Sequence, residues 1–202
     1  MDLLERSYPG RRAELKRSIL RTALHCFNTQ GMEATTIEMI RAACDTSVGA
    51  IYHHFNNKEG LVAALFFAAL QDQTALRLSY LETAQTTREG VNALVFSYVD
   101  WVTSQPDWAR YQFSARFTVA NGPHKEQLLE QNRQRNQQLR EWFAQPEMGG
   151  ELTELPAELV PSLIIGAAEN YCRAWLSGRV KQSPAAYREL LADAAWRSLT
   201  LS

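Results

Sequence analysis

Residues 35 to 59, the run TTIEMIRAACDTSVGAIYHHFNNKE, carry a set of groups able to make directed polar contacts. Tyr52, His53, His54 and Lys58 there offer hydroxyl, imidazole and ammonium groups, the chemistry of hydrogen bonding and charge pairing. The run reads as two short helices joined by a tight turn, with Tyr52-His53-His54-Phe55 closing the second. Thr35 and Glu38 have the T-x-x-E spacing of a capping box and predict a helix starting near Thr36. Ile37, Ile40 and Ala43/Cys44 give that helix one apolar face. Cys44-Asp45-Thr46-Ser47 breaks the period, and Ser47 or Thr46 can cap a second helix from Val48. Gly49, Ala50 and Ile51 keep this helix thin, and a thin, short helix with polar tips is what a DNA major groove admits.

Bond-making chemistry finds no support in the rest of the chain. It contains no nucleophile elbow, Walker loop, H-E-x-x-H or paired-cysteine motif, so no catalytic residue is assigned. His25, His53, His54 and His124 lack metal-ligand spacing, which predicts no metal site and no cofactor. Glu169 and Arg173, four apart on a helix, read as an ion pair rather than an acid and base. Cys26, Cys44 and Cys172 fall on apolar helical stripes as small hydrophobes. The net charge of −1 argues against nucleic acid, but its distribution argues for it. Arg6, Arg11, Arg12, Lys16, Arg17 and Arg21 face only Glu14 in the same interval, while the chain beyond residue 61 leans acidic. A basic first helix on an acidic body suits a protein that touches phosphates at one end.

These residues must be positioned by helices, and no strand pattern competes anywhere. With 202 residues, 46% of them hydrophobic, the chain can bury one or two helical cores. Asn57 caps a long helix through Leu61, Leu65 and Ala69 toward Tyr80. Thr86-Thr87-Arg88 opens the next, which ends before Pro106; another covers Asp107 to Thr118. A polar helix from His124 to Ala144 buries a narrow stripe at Leu128, Asn132, Arg135, Leu139 and Trp142/Phe143. Residues 145 to 156 form the longest loop, and two helices follow, from Pro156 or Pro161 to Gly178 and from Pro184 to Leu199. No window approaches 18 apolar residues and the N-terminus has no signal-peptide core, which predicts a cytoplasmic protein with no membrane partner.

Two compositional features extend the reading. The middle helices interleave aromatic and polar residues at Tyr98, Trp101, Trp108, Tyr111, Gln112, Phe113, Arg116 and Phe117, with Asn170 opposite. Aromatic walls with few polar groups describe a cavity for an amphipathic organic molecule, and a filled aromatic core is the alternative. Arg116, if inward, needs Glu169 or an anionic group on the ligand as partner. The last two helices are apolar over more than one face, through Ile164, Ala168, Tyr171, Trp175, Leu191 and Ala195. Such helices are central in a core or shared with a partner.

The ordered set Ile19-Leu20, Ala23, Phe27, Gly31, Thr35-Thr36, Ile40, Ser47-x-Gly49-x-Ile51-Tyr52-His53-His54-Phe55 and Lys58-Glu59-x-Leu61 resembles the N-terminal domain of the TetR/AcrR family of transcriptional regulators. The chain departs from the family pattern at Arg41, Asp45 and Thr46. Asp tolerates the left-handed conformation that the family's turn glycine supports. The resemblance implies an all-α protein, with a three-helix helix-turn-helix domain over 1–57 and a larger helical ligand-binding and dimerisation domain over 58–202. It implies a DNA surface at Thr36, Ser47, Val48, Ala50, Tyr52, His53 and Lys58. It also implies a two-fold four-helix interface from the last two helices, a palindromic operator as partner, and release by a small organic effector. A helical dimer that binds a ligand or protein without reading DNA is the alternative.

Overall fold

The computed structural model describes residues 2–145, 155–156 and 158–200. The helices are α1 (Leu3–Ser7), α2 (Glu14–Gln30), α3 (Ile37–Ala43), α4 (Val48–Phe55), α5 (Lys58–Leu81), α6 (Thr87–Ser104), α7 (Pro106–Asn121), α8 (Lys125–Phe143), α9 (Val160–Leu176) and α10 (Arg188–Leu199). No strand occurs among the described residues, as the all-α reading expects. Most of the loop read over 145 to 156 lies outside the described residues.

Helix starts follow from side chains that satisfy the free N–H groups of a first turn. Thr36 accepts from Met39 N at 3.2 Å and Ser47 from Ala50 N at 3.1 Å. Asn57 Oδ1 accepts from Gly60 N at 2.7 Å, and Thr86 with Glu89 forms a capping box. The cap of α3 is therefore Thr36. Thr35 is fully buried, its hydroxyl donating to Gly31 O at 2.8 Å, and takes no part in a capping box. α7 starts at Pro106 and runs to Asn121, beyond the end read at Thr118. α10 is preceded by a 3-10 turn over Pro184–Tyr187.

Packing divides the chain into two compact units, Met1–Asp72 with Asp107–Asn132 and Gln73–Pro106 with Arg133–Ser202. α3 and α4 thus share a unit with the first part of α5 and with α7, so packing does not follow the division at 57/58. The first core joins Ile19, Leu20 and Phe27 of α2 to Ile40, Ile51, Phe55, Leu61 and Leu65. Tyr111 completes it: its hydroxyl donates to Val62 O at 2.8 Å and its ring lies 5.8 Å from Phe27. Burial pushes the Tyr111 phenol well above its ordinary pKa. α5 is long and apolar enough, by length and composition alone, to cross a membrane, which the sequence reading did not anticipate. Of its most apolar window, 56% is buried inside the protein, as in a core helix.

In the second unit α6 packs against α9 and α10, burying Val91, Leu94, Val95, Val99 and Val102. Gly90 allows the Trp142 ring to approach so closely that a Cβ there would overlap it. Asp100 ties three helices together, accepting from Tyr80 Oη and Arg188 Nη1, each at 2.6 Å. Arg188 also stacks 4.4 Å from the Phe96 ring centroid.

Candidate nucleic-acid interface

The turn between α3 and α4 holds its shape through one residue. Asp45 has φ +48°, the left-handed region, and is the side-chain type that region tolerates when glycine is missing. Ser47 then caps α4, whose Ile51 and Phe55, four apart, are buried. That anchoring turns the other side of α4 outward: Tyr52 is 46% exposed, His53 is exposed, and Val48 and Ala50 are half-buried. Thr36 and Ser47 are exposed at the two caps, and Ala43, read as part of the apolar face of α3, is exposed as well. A methyl at Gly49 would meet only Ser47 Oγ at 3.8 Å, so this face of α4 is open.

The positive charge is more committed than its count suggests. Lys58 Nζ donates to Glu33 O at 3.2 Å, which orients the ammonium and leaves its remaining protons available. Arg6 pairs with Asp72 at 2.7 Å and Arg21 with Asp2 at 2.8 Å. Arg17 donates to Tyr8 O and Gly10 O at 2.7 and 2.8 Å, and Lys16 stacks 4.2 Å from the Tyr8 ring centroid. Burial lowers the Lys16 pKa. Arg11 and Arg12 are exposed on a 3-10 turn before α2. The six-residue basic run thus contains structural cations, and sequence alone did not separate them from the exposed pair.

The residues read as a cavity wall are distributed over both units. In the first, Tyr111 and Trp108 are buried, Gln112 and Phe113 are half-buried, and Arg116 and Phe117 are exposed, Phe117 to 78%. In the second, Trp101 is buried, Tyr98 half-buried and Asn170 exposed. Tyr111 is a core residue with its polar atom satisfied, and Phe117 stands on the surface. Glu169 pairs with Arg173 at 2.9 Å, four residues on along α9. An open cavity of about 200 Å³ lies elsewhere in the second unit, lined by Tyr80, Thr83, Ala84, Glu89, Asn92, Ala93 and Phe96.

The interface reading needs a correction of face. Ile164, Ala168 and Ala195 are 3%, 1% and 2% exposed within the single chain, because α9 and α10 pack on each other and on α6. Tyr171, Trp175 and Leu191 are half-buried. The outward side carries Gly166, Ala167 and Ala194, with Leu190 66% exposed. Among the described residues, no three His, Cys, Asp or Glu side chains gather as a metal-ligand set. Burial pushes the Cys172 thiol up to about 12 and Cys26 is also buried, whereas Cys44 is only half-buried.

Comparison with known proteins agrees with this geometry. The profile of the bacterial regulatory proteins of the tetR family matches residues 19–65, the span from α2 into α5. The chain is 33% identical over 113 residues to the HTH-type transcriptional repressor KstR2 of Rhodococcus jostii, covering 55% of this chain and 53% of that protein. It spans about half the length of the curated relatives it matches. A TetR family transcription regulator from Marinobacter aquaeolei has the same fold, with TM-score 0.77 at 20% identity over 93% of this chain and 97% of that one. The ketosteroid transcriptional regulator KstR2 of Mycobacterium tuberculosis superposes with TM-score 0.71 at 19% identity, over 96% and 97% of the two chains. The helix-turn-helix over residues 19–65 thus matches that of bacterial regulatory proteins of the tetR family, and the all-α fold is shared with these solved structures.

Proposed function

We propose that the protein is a homodimeric, cytoplasmic repressor that binds a palindromic operator through α4 and is released by a small organic effector. The observation that carries this reading is the face of α4. Caps at Thr36 and Ser47 and the left-handed Asp45 anchor Ile51 and Phe55 inward and leave Tyr52 and His53 outward. In this reading Val48 and Ala50 touch thymine methyls, Tyr52 and His53 reach phosphates or base edges, and Lys58 donates to a phosphate. Residues 1–57 read DNA, and 58–202 bind the effector and dimerise through the outward side of α9 and α10. α5 starts beside the reading helices and ends in the other unit, so a tilt of α5 would alter the spacing of two reading heads. That gives effector and operator one shared two-state element, as coupling between sites requires.

A gel-shift with DNA from upstream of the protein's own gene tests this. Binding should map to a palindrome whose half-site centres lie about 34–36 Å apart or a multiple of it. Tyr52→Ala should weaken it across sequences and lower its salt slope. Failure to bind any such DNA, with the dimer intact, would favour a helical dimer that recognises a ligand or protein instead.

A further inference from the structure

Arg77 lies in the part of α5 that belongs to the second unit. Its Nε and Nη2 atoms are both buried, and neither has a hydrogen-bond partner. These two nitrogens form one edge of the guanidinium, the edge whose parallel N–H groups match the two oxygens of a carboxylate or phosphate. A cation with its donors withdrawn from water and no acid beside them is costly, and an arginine serving only as a surface charge would carry its tip outward instead. Burial lowers its pKa from 12.5, but a guanidinium keeps its charge at neutral pH.

The surroundings favour an anion with an organic body. Gln73, one turn earlier on the same face of α5, accepts from Arg135 Nη2 of α8 at 3.4 Å, which brings a second guanidinium to that face. Leu81, one turn later, is buried. Tyr80, three residues on and about 4.5 Å along the helix axis, lines the open cavity of about 200 Å³ with Ala93 and Phe96. Asn92, also in that lining, has a buried Oδ1 with no hydrogen-bond partner. A cationic edge thus stands one helical turn from a cavity whose apolar wall, Ala84, Ala93 and Phe96, is joined by Tyr80, Thr83, Asn92 and Glu89, the last already accepting from Gln85 N and Thr86 N.

We infer that Arg77 is the anchor of an effector subsite, binding the carboxylate or phosphate of an amphipathic organic anion whose apolar body reaches the Tyr80–Phe96 cavity. The inference rests on the effector reading above and names the chemical class of that effector. It also moves the anionic contact, read at Arg116 from sequence, to a residue whose donors are buried.

Thermal melts of the full chain with decanoate, decyl phosphate or decan-1-ol test it. At a hundredfold excess over Kd, the preferred anion should raise the wild-type Tm by about 5–10 °C, and decanol should not. Whichever anion gives the larger shift identifies the oxygen group. Arg77→Met should raise the probe-free Tm by about 2–4 °C, because it removes an unpartnered buried charge, and should lose the anion shift. Arg77→Lys, which keeps the charge without the two-donor edge, should retain only part of the shift and guards against a Met variant that folds poorly. The inference falls if decanol matches the anions, if no probe shifts the wild type, if either variant keeps the full shift, or if the Met variant melts below wild type. Operator gel-shifts separate this from the regulator reading. Arg77→Met protein that binds DNA normally but ignores the anion supports both, whereas wild-type protein with an Arg77-dependent shift and no DNA binding keeps the subsite and removes the repressor.

Discussion

α4 and α9 both bury residues spaced four apart, Ile51 and Phe55 in one, Ile164, Ala168 and Cys172 in the other. Their outward faces differ. α4 turns out Tyr52 and His53, long side chains that must meet water or a polar partner. α9 turns out Gly166 and Ala167, which make no polar demand and permit close approach of another helix, beside the polar Asn170 and Arg173. The exposed face of α4 therefore states its chemistry, whereas the small residues of α9 state only a geometry. A charge added to each face should have different consequences, and this contrast can be tested directly.

The largest effect is expected where the sequence alone would place a dimer contact. Ala168 is 1% exposed within one chain, so Ala168→Glu buries a carboxylate and should cost at least about 3 kcal/mol of fold stability. Leu190 is 66% exposed, so Leu190→Glu should change monomer stability by less than about 0.5 kcal/mol while weakening self-association. Thermal melts and sedimentation on both variants decide the matter. Ala168→Glu protein that melts like wild type but sediments as a monomer would restore Ala168 to the interface.

Two glycines extend the comparison. A side chain at Gly90 runs into the Trp142 ring, whereas one at Gly49 finds open space. Gly90→Val should destabilise by about 1–3 kcal/mol. Gly49→Ala should stabilise α4 by up to about 1 kcal/mol, and any loss of operator affinity would then be steric. Equal melting shifts in the two variants would mean that Trp142 does not pack on α6 as described.

Helix starts were legible because caps are local: Thr86 with Glu89, Asn57 and Ser47 announce themselves within four residues. The α4 surface was legible for the same reason, since Ile51 and Phe55 define its inward side by spacing. The inward side of α9 was not, because apolar or small residues occupy every side and period carries no direction. Tyr111 falls in the interleaved aromatic and polar stretch that reads either as a cavity wall or as a filled core; a backbone carbonyl at Val62, far away in sequence, satisfies its hydroxyl and makes it core. Arg77 gave no signal, since a lone arginine on a helix reads as solvent-facing until its nitrogens are seen to be buried.

A smaller effect is expected at the turn that aims α4. Asp45→Gly should be neutral or slightly stabilising, since glycine adopts φ +48° without strain. Asp45→Val should cost on the order of 1 kcal/mol or more. Chemical denaturation separates the two, and a valine variant as stable as the glycine one would mean that the turn relaxes to negative φ.

The smallest expected effect is a pH dependence carried by His54, half-buried beside the exposed Tyr52 and His53 of α4. Burial lowers its pKa from 6.5, and the positive neighbours His53 and Lys16 push the same way. Its position in the last turn of α4 would favour the charged form through the helix dipole, so desolvation and repulsion outweigh that attraction. The unfolded chain, with an ordinary imidazole, therefore binds more protons near and below pH 6.5 than the folded one. Stability from this group is present in full above pH 6.5 and declines as the pH falls below it. His54→Gln removes the titration and should flatten the fall in Tm on the acid side. A variant whose acid-side slope equals that of wild type would show that His54 is solvated well enough to titrate alike in both states, and that α4 stands further from α2 than the approach of Lys16 to Phe55 implies.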